Sequence, residues 1–218
     1  MGNYIFSAKA LYRGLHADAE RSNSRHDFGR DILPGMLGRT NMRAYDFQTN
    51  VIPGEAASTP AYWRDVGTLD AYYEAQKDLC GLLPSLNLYN PNWPIRTASY
   101  PDPSAKFTFD EHRRPGNATG SIISGGCILS GGSVSGSVLG RGVRIHSEAV
   151  VEDSILFDNC TVGAKCMIRR AILDEGVQLP EGSSIGVDPI ADASRYYITE
   201  AGVAVVTKKA IEKNSRPT

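Results

Sequence analysis

The chain has 218 residues and a net charge of −1, enough for one large domain or two small ones and without the basic excess that holds nucleic acid or an anionic membrane surface. No apolar run approaches the roughly 20 residues that cross a bilayer, and the N-terminus lacks the basic and apolar blocks of a signal peptide, so a cytoplasmic protein is expected. Cys80, Cys127, Cys160 and Cys166 form no CxxC pair and have no His at zinc-ligand spacing, which makes them packing thiols.

Ala8, Leu11, Tyr12 and Leu15 follow helical spacing, and the polar stretch His16 to Ser24 reads as a loop. Phe28, Ile32, Leu33 and Met36 predict a second helix, ended or kinked by Pro34. Met42 to Val51 alternates as a strand would. Thr68 is placed to cap a third helix with Asp70 in its first turn, an apolar face at Leu69, Tyr72, Tyr73, Gln76 and Leu79, and stop signals at Gly81 and Pro84. Residues 1–85 therefore offer three helices and at most two strands. That is too little sheet for a closed α/β domain, as if a further part lay upstream. Residues 86–120, rich in Pro, Asn and Ser, read as a linker with one ordered anchor, Trp93.

From residue 122 to 185 the chain repeats every 17 residues. Ile122, Leu139, Leu156 and Leu173 form one aliphatic column, Ile128, Ile145, Val162 and Leu179 a second, and Val134, Val151, Ile168 and Ile185 a third. Within each coil the columns stand six, six and five residues apart, the hexapeptide spacing of a parallel β-helix with three faces and one inward side chain per face. The position four residues after each aliphatic is small or medium, and Cys160 and Cys166 occupy two of these corners. A solenoid of about four coils is expected over residues 121–218, and its open edges call for caps, an oligomer or a packed neighbour. Arg195 to Thr199 and Val203 to Val206 flank Glu200-Ala201-Gly202 as a hairpin, and Thr207 is placed to cap a short basic helix bearing Lys208, Lys209 and Lys213.

The densest candidate for chemistry is Pro60-Ala61-Tyr62-Trp63-Arg64-Asp65-Val66-Gly67-Thr68. A carboxylate just before a Gly and a helix cap puts an acidic oxygen beside helix N-terminal amides, where phosphate and Mg²⁺ can meet; considered alone, Asp65 is more often a turn or capping residue. Together with Met1-Gly2-Asn3-Tyr4-Ile5-Phe6, His26-Asp27-Phe28-Gly29, Asn92-Trp93-Pro94-Ile95-Arg96-Thr97 and Ser124-Gly125-Gly126-Cys127, it resembles the bacterial glucose-1-phosphate adenylyltransferases, the ADP-glucose pyrophosphorylases of glycogen synthesis. The resemblance runs in order from Met1 to about Lys213.

That resemblance implies the C-terminal part of a Rossmann-like nucleotidyltransferase domain over 1–85, then a linker, then a left-handed β-helix, in a homotetramer that makes ADP-glucose and diphosphate from ATP and glucose 1-phosphate with Mg²⁺. Asp65 would be one of two carboxylates on the metal, and Tyr4, Asp27, Phe28 and Trp63 would line the glucose pocket. From the residues alone the plainer readings are favoured: Tyr4 and Phe28 as core, Trp63 as a domain-edge anchor and Asp27 as a helix cap. The Gly-rich nucleotide loop, the second metal-binding Asp and the Glu-Lys pair on the sugar phosphate have no counterpart here, so the chain resembles a C-terminal fragment that makes no ADP-glucose alone.

Two other readings compete. Hexapeptide helices also occur in acyltransferases that use a His between subunits, but His146 follows the inward Ile145 and so faces outward. The chain could also be a non-catalytic oligomerisation and effector module. In that case Arg169, Arg170, Lys208 and Lys209 are the candidate contacts for a phosphorylated effector, against the plainer reading of a solvated charged edge.

Overall fold

The chain divides into two units, Met1–Asn50 and Val51–Thr218. A computed structural model describes residues 2–214; Met1, which opens the first family-like segment, and residues 215–218 lie outside the described residues. Among the described residues no helix is long and apolar enough to cross a membrane.

In the first unit, helix α1 (Ala8–Ala19) continues past His16 into the stretch expected as loop. The reason lies in Asp18, which turns inward and is buried, accepting from Ser24 Oγ at 2.7 Å and pairing with His26 Nδ1 at 2.8 Å. These partners, Ser24 first and His26 second, hold its carboxyl below the usual range. The second helix begins at Asp27, whose Oδ1 accepts from Arg30 N at 2.8 Å, and opens as a wide π-type turn over Phe28–Ile32 before tightening into α2 (Leu33–Met36). The wide turn precedes Pro34, which has no N–H to give an i−4 carbonyl. A side chain at Gly14 would stand 2.7 Å from Met36 Sδ, so Gly14 lets α1 and α2 close on Ile32 and Met36.

The expected strand over 42–51 is absent. Asp46 Oδ1 takes the amide of Gln48 at 3.1 Å, and the Asp46 carbonyl takes the Thr49 amide and hydroxyl, leaving one tight turn at Phe47–Thr49. Local polar groups there outcompete a ladder that has no partner.

In the second unit, helix α3 (Leu69–Leu79) is capped by Thr68 Oγ1, which accepts from Ala71 N at 3.1 Å. A parallel β-helix follows. One face stacks Lys106–Thr108, Ile128–Ser130, Arg144–Ile145, Thr161–Val162 and Gln178–Leu179. The second stacks Asn117–Thr119, Ser133–Ser135, Val150–Glu152, Met167–Arg169 and Ser184–Ile185. The third stacks Ile122–Ile123, Val138–Leu139, Ile155–Leu156, Ala171–Leu173 and Ala204–Val206. Two of these strands, 106–108 and 117–119, lie inside the segment read as linker. Trp93 is not its anchor, for its side chain is exposed; the buried residue is Asn90, which donates to Pro53 O at 2.8 Å and accepts the amides of Asn92 and Trp93.

From Val134 onward every expected column residue is buried, none more than 3% exposed. In the first coil the register differs by one. Ile123 aligns with Leu139 and Leu129 with Ile145, so Ile122 and Ile128 pair beside Val138 and Arg144 instead of filling the columns. The cause is a coil one residue shorter: Ser130 alone stands between Leu129 and the left-handed Gly131, where the next coil has His146 and Ser147 before Glu148. The same shift brings Cys127 inward with Cys160 and Cys166, and all three are free and buried. Burial pushes the Cys160 thiol up to about 11.

Beyond the last coil, Asp188 caps an unexpected helix α4 (Pro189–Arg195). Tyr197–Ile198 then pairs antiparallel with Ala204–Val206, the expected hairpin, and Thr207 Oγ1 accepts from Ala210 N at 3.3 Å at the head of α5 (Lys208–Asn214). Tyr196, Ile198 and Ile211 pack on the solenoid core and cover this end.

Candidate functional site

The first unit gathers three aromatic rings. Tyr4 stacks on Phe28 with centroids 6.0 Å apart and planes at 22°, and Phe6 leans on both, 5.9 Å from Phe28 and 6.3 Å from Tyr4. Tyr4 remains 45% exposed, so the cluster stays partly open to solvent rather than vanishing into a core. Asp27 immediately precedes Phe28 in an exposed position. Its Oδ1 caps the turn, as the plain reading expected, but a carboxylate has about four lone-pair sites and one amide uses one of them. Phe6 was not among the residues expected at the sugar, although it closes the Met1–Phe6 segment that carries the resemblance.

In the second unit, Trp63 is half-exposed and Asp65 exposed. Asp65 Oδ1 accepts from Gly67 N at 3.2 Å, which folds Asp65-Val66-Gly67 into a tight side-chain turn that feeds the Thr68 cap. A side chain at Gly67 would come within 3.4 Å of that carboxylate. Among the described residues no three His, Cys, Asp or Glu side chains gather as a metal cluster.

The four basic candidates fare differently from one another. Arg169 Nε lies 2.7 Å from Glu152 Oε2. Arg170 takes a left-handed backbone, donates Nη2 to Ala201 O at 2.9 Å and holds its guanidinium 5.8 Å from the Tyr73 ring centre. Lys208 and Lys209 are exposed in the first turn of α5. His146 is exposed, as its place after Ile145 required.

Family models match in two pieces: "Nucleotidyl transferase" over residues 1–81 and "GlmU-like, C-terminal hexapeptide" over residues 103–206. Glucose-1-phosphate adenylyltransferases match through both pieces, the one from an Anaeromyxobacter species being 46% identical over 210 residues, 95% of this chain. Those of Frankia casuarinae and Koribacter versatilis are each 47% identical over 95% of the chain. This chain is a homologue of the glucose-1-phosphate adenylyltransferases. It spans about half the length of the curated relatives it matches, 49–51% in these three. In this homologue the partly open ring cluster lies in the transferase piece and the buried aliphatic stack in the hexapeptide piece.

Proposed function

We propose that this chain carries the sugar-phosphate side of an enzyme making ADP-glucose and diphosphate from ATP and glucose 1-phosphate. The observation that carries the reading is the stacked Tyr4–Phe28 pair, partly open to solvent, with the exposed Asp27 carboxylate one residue away. Aromatic faces pack on the C–H face of a pyranose, and a carboxylate with spare lone pairs accepts sugar hydroxyls. For Trp63, half-exposed in the second unit, the resemblance implies a sugar contact as well. Residues 1–85 are then part of a nucleotidyltransferase domain, 86–120 the connection, and 121–218 the β-helix through which four copies assemble in the cytoplasm.

Nucleotidyltransferases use a divalent cation, and Mg²⁺ is the ion proposed here, with Asp65 as its ligand on this chain. Bound there, the cation would neutralise charge on the reacting phosphates. Asp65 is held ready by the Gly67 amide. The sugar-phosphate oxygen attacks the α-phosphorus of ATP, a new P–O bond forms, the bond to the β-phosphate oxygen breaks, and diphosphate leaves. Asp27 and the rings keep that oxygen in line by fixing the sugar. A phosphorylated effector would find Lys208 and Lys209 open, whereas Arg169 and Arg170 would first have to leave Glu152 and Ala201.

The test is product formation. The chain alone is expected to make no ADP-glucose, and to make it when mixed with the N-terminal half of a matching relative. Robust synthesis by the lone chain, or none in any mixture, would overturn the reading.

A further inference from the structure

Helix α3 runs along one corner of the β-helix. Gly120, Gly136, Asp153 and Arg170 take equivalent corner positions on successive rungs, all left-handed with φ of 55°, 53°, 47° and 43°. Residues 70, 73, 77 and 80 form one stripe along α3 and its C-terminal cap, and each of them reaches this wall. Cys80 Sγ lies 3.6 Å from Ser137 O. Lys77 Nζ donates to Gly136 O and to Asp153 Oδ1. Tyr73, buried with Ile155, Ile172 and Val203, donates its hydroxyl to Asp153 O at 2.6 Å, and burial pushes its phenol up to about 12. Asp70 Oδ2 accepts from Ala201 N at 3.3 Å, on the turn whose carbonyl Arg170 holds.

The fit has a geometric cause. Neighbouring strands stand about 4.8 Å apart and a helical turn rises about 5.4 Å, so each turn of α3 meets roughly the next rung. An 11-residue helix can therefore be fastened turn by turn to a repeating wall. At the head of that helix sit the Thr68 cap and, three residues earlier, Asp65.

We infer that the β-helix positions Asp65 through α3, with Lys77 and Tyr73 as positioning residues that touch no substrate. The inference rests on the proposed role of Asp65 as the metal ligand, since a ligand must be held to within about 0.5 Å and Asp65 sits on an exposed loop. The solenoid then does more than join subunits: its corner column sets where the carboxylate stands.

Hydrogen–deuterium exchange on the full chain tests the coupling without substrate. Lys77→Met is expected to speed exchange across residues 65–72 about tenfold, the worth of a charge-assisted hydrogen bond, while strands 150–156 and 167–173 stay within about twofold of wild type. Asp153→Asn, which keeps a side chain tolerant of the left-handed corner, should act in the same direction, and Lys77→Arg should restore most of the protection. Unchanged exchange at 65–72, or equal acceleration throughout the solenoid, would overturn the coupling. In an active mixture with the N-terminal half, Lys77→Met should raise the Mg²⁺ concentration for half-maximal rate several-fold, with Lys77→Arg near wild type; an unmoved Mg²⁺ dependence would overturn the functional part. If the wild-type mixture makes no product, the proposed function fails, and the exchange result still decides whether α3 transmits position.

Discussion

The β-helix and the first unit solve burial in opposite ways. In the solenoid each inward side chain repeats one packing problem, and Leu139, Leu156 and Leu173 on one face, with Val151 and Ile168 on another, are at most 1% exposed. In residues 2–50 the buried set is Asp18, Ile32 and Met36, and the ring cluster stays open. A repeat makes rigidity from identical neighbours, whereas the first unit relies on a few unlike contacts and leaves its aromatic surface partly open.

The sharpest way to break this comparison is at a corner. A side chain at Gly186 would stand 1.7 Å from Arg169 O at a φ of +74°, while one at Gly182, with the same φ, would meet nothing within 4 Å. Gly186→Ala should cost on the order of 4 kcal/mol or more because backbone must move, and Gly182→Ala about 1 kcal/mol from dihedral strain alone. Equal costs in denaturant titrations would show that the rungs give way easily.

Next in size, Leu156→Ala should cost about 2–5 kcal/mol, toward the upper end because rungs above and below prevent collapse, and Ile32→Ala toward the lower end because the first unit can relax. A larger loss at Ile32 would reverse the comparison.

The smallest effect is acid-dependent and lies in the first coil. Burial works to raise the Asp110 pKa, but the Arg114 guanidinium at 2.8 Å and the amides of Arg114 and His112 overcome it and bring the carboxyl down to about 2. A depressed carboxyl stabilises the fold fully above its ordinary value of 3.8, and that contribution fades as pH falls toward about 2. Asp110→Asn should therefore flatten the loss of stability between about pH 4 and 2; an unaltered slope would place the acid sensitivity elsewhere.

Much of this was legible before any coordinates. Val134 to Ile185 could be placed because the 17-residue spacing holds from coil to coil, so that even pairs such as Ile155-Leu156 and Ile172-Leu173 are read in one register. Ile122-Ile123 and Ile128-Leu129 each offer two adjacent aliphatics, which hid the missing residue before Gly131. The contacts of α3 were not legible, since Asp70, Tyr73, Lys77 and Cys80 are a mixed stripe whose partners lie 57 to 131 residues away. At the candidate site, Asp27 could be read as a cap or as a sugar ligand because one carboxylate can do both.

Calorimetric titration of glucose 1-phosphate into the full chain tests most directly whether recognition resides in the open ring cluster while the solenoid serves as scaffold. The expected result is saturable binding to wild type that is abolished by Phe28→Ala. No binding at millimolar sugar phosphate, or equal binding by Phe28→Ala, would contradict it.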